Sequence, residues 1–159
     1  MTYSNKYLST LPFIKAHGTE NDFVVLIDVD DQLDTLGVLT DDLVASLCDR
    51  RAGIGGDGFL RVVRADGDDA KWFMDYRNAD GSIAEMCGNG IRVFAHVLMA
   101  QGLETEREFD VATRAGVKHI VVHELTGEGP HGPSHAQVEV GMGPVEVTGV
   151  SDRKSTRLN

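Results

Sequence analysis

The sequence is poor in cysteine, in long apolar runs and in positive charge. Two cysteines among 159 residues, Cys48 and Cys87, are too few for a disulfide framework, so we expect a reducing cytoplasm. The longest apolar run covers residues 23–27, which is far too short to cross a bilayer. The opening segment MTYSNKYLST lacks the apolar core of a signal peptide. Lysine and arginine total 15 against 25 acidic residues, so we expect neither nucleic acid nor anionic membranes as partners.

The residues that are present suit one globular domain. Hydrophobic residues make up 42% of the chain and charged residues 25%, and the length is sufficient for a single hydrophobic core. Residues 1–12 form a polar lead-in, and residues 13–150 are expected to form the domain. Residues 151–159 are polar and basic without apolar periodicity, so we interpret them as a disordered end or as a segment foreign to the native protein.

Hydrophobic periodicity predicts a chain rich in strands with two helices. The helix at 40–51 has Thr40 as its N-cap and Arg50 and Arg51 in its last turn. The helix at about 89–101 is apolar nearly all round, which indicates burial on most sides. The predicted class is therefore α+β, with several strands around one buried helix. Strands are predicted at 13–16, 22–28, 59–63, 71–77, 108–112, 117–123, 136–141 and 145–147.

The segment 78–92, NADGSIAEMCGNGIR, carries the most informative chemistry. Cys87 stands at the start of the second predicted helix, where free backbone N–H groups and the helix dipole favour an anion. A thiolate or a substrate carboxylate would be stabilised at such a position. The glycines on either side of Asn89 allow a ligand to approach the backbone closely. The local pattern also fits a buried structural cysteine beside a glycine turn, so both interpretations stay open at this point.

Six blocks of sequence resemble the diaminopimelate epimerase family. They occur in the order found in that family and together cover roughly residues 13–145, which makes the match specific. With this resemblance, Cys87 is interpreted as catalytic. The blocks are HGTENDF at 17–23, RAGIGGD at 51–57, NADGS at 78–82, MCGNGIR at 86–92, TRAG at 113–116 and VGMGP at 140–144.

The resemblance implies an isomerase that interconverts LL- and meso-diaminopimelate in lysine and peptidoglycan-precursor biosynthesis. Members use neither pyridoxal phosphate nor a metal. One thiolate removes the α-proton from one face of the carbon, and a second thiol delivers a proton to the other face. Cys87 matches the first of these cysteines. Asn21, Asn78, Gly88 and Asn89 match substrate-binding positions, the asparagines through their amides and the helix start through its backbone N–H groups.

The resemblance also implies an architecture. Family members wrap mixed or antiparallel strands around a buried central helix, and the full-length protein has two such domains and is commonly a homodimer. The second catalytic cysteine belongs to the C-terminal domain, which we expect this chain to lack. Cys48 falls on the apolar face of its predicted helix and is expected to be structural. We therefore expect the chain to be inactive on its own.

The sequence departs from the family pattern in two respects. Gly58 stands where some members carry a glutamine, so no substrate contact is transferred to it. Val93 and Phe94 stand where many members carry a further cysteine. That cysteine is not the second base, so its absence leaves the expected mechanism unchanged.

Other signals in the sequence favour surface or turn roles. The segment 53–58 fits G-x-G-x-x-G, but a helix precedes it and a strand follows, the reverse of a dinucleotide-binding unit. The histidines lack zinc-site spacing, and the acidic stretches 28–34 and 66–69 lack the ligand order of a calcium loop, so we expect solvated surface. Two alternative functions stay open: a proline-racemase-like isomerase and a noncatalytic binding fragment. The phenazine-biosynthesis type lacks the catalytic cysteines, so Cys87 speaks against it.

Overall fold

A computed structural model describes residues 12–130 and 132–143. The predicted strand at 145–147, the segment 151–159 and nearly all of the lead-in at 1–12 lie outside the described residues. Within the described ranges, every helix is too short or too polar to reach across a bilayer.

Seven strands form one curled, mixed sheet in which the order of strands follows the order of the chain. The second and third strands pair in parallel, as do the fourth and fifth, and the other pairs are antiparallel. The α+β class is confirmed, and so are the predicted strands that fall on described residues. The elements are β1 (Phe13–Gly18), β2 (Asn21–Ile27), α1 (Gln32–Thr35), α2 (Asp41–Cys48), β3 (Gly58–Arg64), β4 (Trp72–Asn78), α3 (Gly88–Ala100), β5 (Glu108–Thr113), β6 (Gly116–Thr126) and β7 (His135–Val140).

The main hydrophobic core lies between α3 and the sheet. Ile91, Phe94 and Leu98 recur at helical spacing and have no exposed surface. They pack in one cluster with Phe23 and Leu60 of the neighbouring strands. Each such side chain contributes about 1.5–3 kcal/mol when fully buried. The helix contacts β1 and β7, the two ends of the sheet, because the sheet is curled.

A second, smaller core covers the other face of β2 and β3. Leu26 and Phe59 of the sheet pack there against Val44 and Cys48 of α2, and Cys48 is only 4% exposed. The predicted N-cap of α2 is confirmed, since Thr40 Oγ1 accepts a hydrogen bond from the backbone N–H of Leu43 at 3.1 Å. The helices α1 and α2 therefore pack on the outer face of the sheet, and α3 packs on the inner face.

The predicted end of α2 at residue 51 is wrong. The helix ends at Cys48, and the backbone of Asp49 is extended. The carboxylate of Asp49 accepts the N–H groups of Arg51 at 2.7 Å and Ala52 at 2.6 Å, which turns the chain away from the helix. Arg50 and Arg51 consequently lie beyond the helix and not in its last turn.

The expectation that residues 28–34 are a solvated loop is only partly confirmed, since Asp30 and Asp34 are exposed but Asp28 is buried. Asp28 is 5% exposed, and its carboxylate accepts the backbone N–H groups of Gln32 at 2.9 Å and Leu33 at 3.0 Å. These bonds satisfy the start of the short helix α1, which sequence periodicity did not reveal. The second acidic stretch, 66–69, is exposed as expected.

Several buried charges meet on the outer face of β3 and β4, and we call them the buried charge cluster. Arg61 donates to Asp75 at 3.0 Å and to Asp28 at 2.9 Å, and Arg114 donates to Asp75 at 2.6 Å. The Asp75 side chain is 1% exposed. Burial opposes its ionisation, yet the hydrogen bond from Arg114 and the charges of Arg61 and Arg77 lower the pKa of Asp75. The carboxylate is therefore the common partner of three guanidinium groups.

Replacing Asp75 by asparagine is expected to lower the free energy of unfolding by about 3–5 kcal/mol, because it leaves buried guanidinium charges without their shared partner. Urea unfolding followed by circular dichroism measures this change. The matched variant Asp68→Asn, in the exposed turn between β3 and β4, should change the free energy by no more than about 0.5 kcal/mol. Equal losses in the two variants would contradict the assigned role of Asp75.

Candidate active site

Four chain segments meet at one edge of the sheet. In the parallel pair β2–β3, Phe23 lies opposite Gly58, and in the antiparallel pair β3–β4, Gly58 lies opposite Asn78. The starts of β2 and β3 and the end of β4 therefore lie side by side. The start of α3 reaches the same edge, since its Cys87 contacts Asn21 at the start of β2.

Cys87 is the N-cap residue of α3, as the sequence predicts. Its backbone is extended, with φ −138° and ψ 119°, and its Sγ accepts the backbone N–H of Gly90 at 3.3 Å. Sulfur here takes the position that a serine or aspartate oxygen occupies in most helix caps. A Cβ on Gly90 would lie 3.2 Å from Cys87 Cβ, so the glycine makes room for this close approach. The thiol is partly buried, and its S–H is directed at Asn21 Oδ1, with Sγ and Oδ1 3.7 Å apart.

Asp57 fixes the orientation of the Asn21 amide. Asn21 Nδ2 donates to Asp57 Oδ2 at 3.0 Å, and the backbone N–H of Asp22 donates to the same oxygen at 3.2 Å. The hydrogen bond from Asn21, the Asp22 amide and Arg50 together lower the pKa of Asp57, so this group is a carboxylate that only accepts hydrogen bonds. The amide nitrogen of Asn21 must therefore face Asp57, and its carbonyl oxygen must face the thiol.

A network of charges outside this contact supports it. Arg50 donates to Asp22 at 2.6 and 3.0 Å and to Asp57 at 2.8 Å, and Lys15 donates to Asp22 at 2.6 Å. The hydrogen bond from Arg50 is the largest cause of the lowered pKa of Asp22. An open groove of about 520 Å³ runs beside these residues and is also lined by His17. The charged groups thus brace the start of β2 from the solvent side.

Asn78 ends β4 in a tight turn. Its Nδ2 donates to Ser82 Oγ at 3.0 Å, and its Oδ1 accepts from the Tyr76 hydroxyl at 3.2 Å. Asp80 Oδ1 accepts both the N–H and the hydroxyl of Ser82, at 2.9 and 2.6 Å. Gly81 has φ 89°, and a Cβ there would lie 2.3 Å from a backbone oxygen of α2. The interpretation of Asp80 and Gly81 as turn residues is confirmed, and the turn holds Asn78 in place.

The first turn of α3 is open to a ligand. A Cβ on Gly88 would meet nothing nearer than Arg92 Nη2 at 3.8 Å. The N–H groups of Gly88 and Asn89 belong to the first turn of a helix and so lack partners within it. This arrangement provides backbone donors for an anionic group such as a carboxylate.

The turn between β1 and β2 is strained and is tied to α3. Thr19 and Glu20 have φ angles of 51° and 67°. Such backbone is unfavourable for residues other than glycine, and most of all for a β-branched residue. Thr19 Oγ1 donates to Asn89 Oδ1 at 2.8 Å, which joins the strained turn to the first turn of the helix.

The five residues predicted for the site, Cys87, Asn21, Asn78, Gly88 and Asn89, lie together at this edge. Sequence reasoning did not assign Asp57, although the block that contains it was among those matched. Cys48 lies in the separate outer core. His119 pairs with Glu108 and Asp110, and His123 with Glu139, all on exposed surface. In the described part of the chain, no three His, Cys, Asp or Glu side chains are grouped so that they would hold a metal ion.

The fold is shared by known isomerases. Over 82% of this chain and 41% of the other, it is similar to a methylitaconate-delta-isomerase with a TM-score of 0.61 at 11% sequence identity. It is also similar to a hydroxyproline epimerase from Agrobacterium vitis, with a TM-score of 0.52 at 18% identity over 76% and 38% of the two chains. At such identities the likeness defines the fold class.

The family is defined by sequence. The family model for diaminopimelate epimerase matches residues 13–148. The diaminopimelate epimerase of Corynebacterium glutamicum is 53% identical over 148 residues, covering 89% of this chain and 50% of that protein. This chain therefore belongs to the diaminopimelate epimerase family. It spans about half the length of the curated relatives it matches.

The two thiols should differ in reactivity in the folded protein. Cys48 is 4% exposed, and burial raises the pKa of its thiol, whereas Cys87 is partly exposed at an open helix start. Iodoacetamide is expected to alkylate Cys87 at least about 10-fold faster than Cys48. Peptide mass spectrometry after timed quenching measures both rates, and the rates should converge in urea. Comparable rates without urea would contradict the described positions of the two thiols.

Proposed function

We propose that the protein to which this chain belongs interconverts LL- and meso-diaminopimelate, with Cys87 as one of its two acid/base groups. The observation that carries the proposal is the position of Cys87 Sγ, which begins α3 and faces the oriented carbonyl of Asn21. A thiol beside open backbone donors suits a substrate that carries both an acidic α-proton and a carboxylate. The relationship to proteins named diaminopimelate epimerase supplies the identity of the substrate.

In the proposed mechanism, the substrate α-carboxylate binds at the N–H groups of Gly88 and Asn89. Asn21 and Asn78 hold the amino and carboxylate groups with their amides. The Cys87 thiolate removes the α-proton from one face of the carbon, and the S–H bond forms as the C–H bond breaks. A second thiol protonates the opposite face, which inverts the configuration. The reverse reaction exchanges the roles of the two sulfurs.

The second thiol cannot be Cys48 in this arrangement, since Cys48 packs in the outer core, which the sheet separates from α3. We therefore place the second base in a further domain, consistent with a chain that spans about half of its relatives. It follows that these 159 residues alone do not epimerise the substrate. The proposal also includes what the family resemblance implies, namely two similar domains, each with strands around a central helix like α3, and a homodimer. The low cysteine count favours a reducing cytoplasm.

The proline-racemase-like alternative is less well supported. The likeness to a hydroxyproline epimerase is at 18% identity and concerns the fold, whereas the family match covers residues 13–148. The other alternative, a noncatalytic binding fragment, applies to this chain by itself. It predicts binding of diaminopimelate without inversion, which the isotope experiment below distinguishes from turnover.

The complete polypeptide encoded by the gene is expected to exchange the α-proton of LL-diaminopimelate for deuterium and to form the meso isomer. Replacing Cys87 by alanine should lower the rate of both events by about 100-fold or more, because an acid/base group is removed. Proton NMR in D₂O under reducing conditions follows exchange and product together.

The matched control is Cys48→Ala, which removes the other thiol of the chain from the outer core and should retain turnover. Absence of exchange in the folded wild-type polypeptide would contradict the diaminopimelate assignment. Turnover of L-proline, tested in parallel, would then support the proline-racemase-like alternative. Exchange without inversion in the 159-residue chain would support Cys87 as a base that lacks its opposite-face partner.

A further inference from the structure

Tyr76 lies within the candidate site and takes no part in the mechanism proposed above. It lies on β4 and packs against the inner core, where its ring stands edge-on to Phe23, with centroids 6.2 Å apart and ring planes at 76°. Its hydroxyl points to the edge of the sheet and donates to Asn78 Oδ1 at 3.2 Å. The ring is therefore half-buried, and the polar atom is at the site.

Gly58 provides the space in which the Tyr76 ring lies. A Cβ built on Gly58 would lie 2.9 Å from Tyr76 Cε2, 3.1 Å from the backbone oxygen of Arg77 and 3.3 Å from Phe23 Cδ1. A real Cβ does not approach an aromatic carbon so closely, so any side chain at position 58 would displace the ring. The position of the hydroxyl thus depends on a glycine in the adjacent strand.

The Tyr76 hydroxyl and Ser82 together hold the Asn78 amide in one orientation. Asn78 Nδ2 donates to Ser82 Oγ at 3.0 Å, while its Oδ1 accepts from Tyr76. Ser82 gives its hydroxyl proton to Asp80 Oδ1 at 2.6 Å, so its oxygen accepts from Asn78 Nδ2 and fixes which end of the amide faces the turn. The Tyr76 phenol donates to the remaining amide oxygen and so supports the same orientation from the other side. The second N–H and the second lone pair of Asn78 then have fixed directions for a ligand.

The phenol stays protonated under ordinary conditions and lies close to the thiol. Burial is the largest cause of the raised pKa of Tyr76, and the neighbouring Cys87 raises it further. Tyr76 is therefore an O–H donor at neutral pH.

We propose that Tyr76, whose ring packs against Gly58, is a positioning residue that helps to hold the Asn78 amide in the orientation that receives the substrate. The inference rests on the proposed function, since it assigns Tyr76 to substrate binding at the same site. Tyr76 is expected to affect substrate binding more than proton transfer, because its hydroxyl acts through Asn78.

The test compares Tyr76→Phe with wild type in the complete polypeptide. The phenylalanine ring keeps its contact with Phe23 and loses only the hydroxyl. The KM for diaminopimelate is expected to rise about 2- to 10-fold, which corresponds to the loss of one hydrogen bond, with kcat nearly unchanged. A purely structural role would lower the active fraction, and hence kcat, and leave KM as it was. The matched control is Ser46→Ala, which removes an exposed hydroxyl that donates to Leu43 O on α2 and should leave KM unchanged.

Gly58→Ala should raise KM in the same way in a polypeptide that retains Tyr76, because the added Cβ displaces the ring. If Tyr76→Phe turns over diaminopimelate with wild-type KM, the inference is overturned and the proposed function stands. If the wild type shows no turnover, the proposed function fails and the inference fails with it.

A measurement on the wild type covers the case in which a variant does not fold. With ¹³Cζ-labelled tyrosine, the Tyr76 signal should shift when diaminopimelate is added and should not shift with 1,5-diaminopentane, which has the same carbon chain between its amino groups but lacks both carboxylates. In Cys87→Ala, the pKa of Tyr76 should fall, because the neighbouring thiol raises it. A Tyr76 signal that does not respond to diaminopimelate would overturn the inference, whatever its response to Cys87→Ala.

Discussion

The structure depends most on how α3 begins. The sulfur of Cys87 accepts the N–H of Gly90 and so performs the capping role that starts the helix, and the same atom faces Asn21. The apolar side of α3 is buried against the curled sheet, which prevents the helix from shifting. The free energy that stabilises the core therefore also fixes the position of the thiol. A reactive atom held in this way needs little reorganisation when a substrate arrives.

The charged residues mainly support the site from its surroundings and contribute little to its lining. Asp57 orients the Asn21 amide, and Arg50 holds Asp57, while the buried charge cluster lies on the opposite face of the sheet. Neutral amides and backbone N–H groups are left to meet the ligand. Such an arrangement suits a zwitterionic substrate, since a fixed side-chain charge at the site would favour one of its ionic groups and repel the other.

Patterns within single elements were readable from the sequence, and contacts between distant segments were not. The apolar residues around α3 and the glycines after Cys87 predicted the buried helix and its start. The short helix α1 was missed because its capping group, Asp28, is buried by pairing with Arg61 across the sheet. The role of Asp57 follows from the parallel register of β2 and β3, which local periodicity does not encode. The site residues themselves follow from the family resemblance. The structure adds the side chains that hold them in place.

The most direct test of the account is protection of Cys87 by the substrate. The rate of alkylation of Cys87 and of Cys48 would be measured by mass spectrometry in the complete polypeptide, with increasing diaminopimelate and with 1,5-diaminopentane, which lacks both carboxylates, as the control. The account predicts that diaminopimelate slows modification of Cys87 in a saturable manner, while 1,5-diaminopentane has little effect and Cys48 stays slow throughout. Alkylation of Cys87 that is indifferent to saturating diaminopimelate would contradict the claim that the start of α3 is the substrate site.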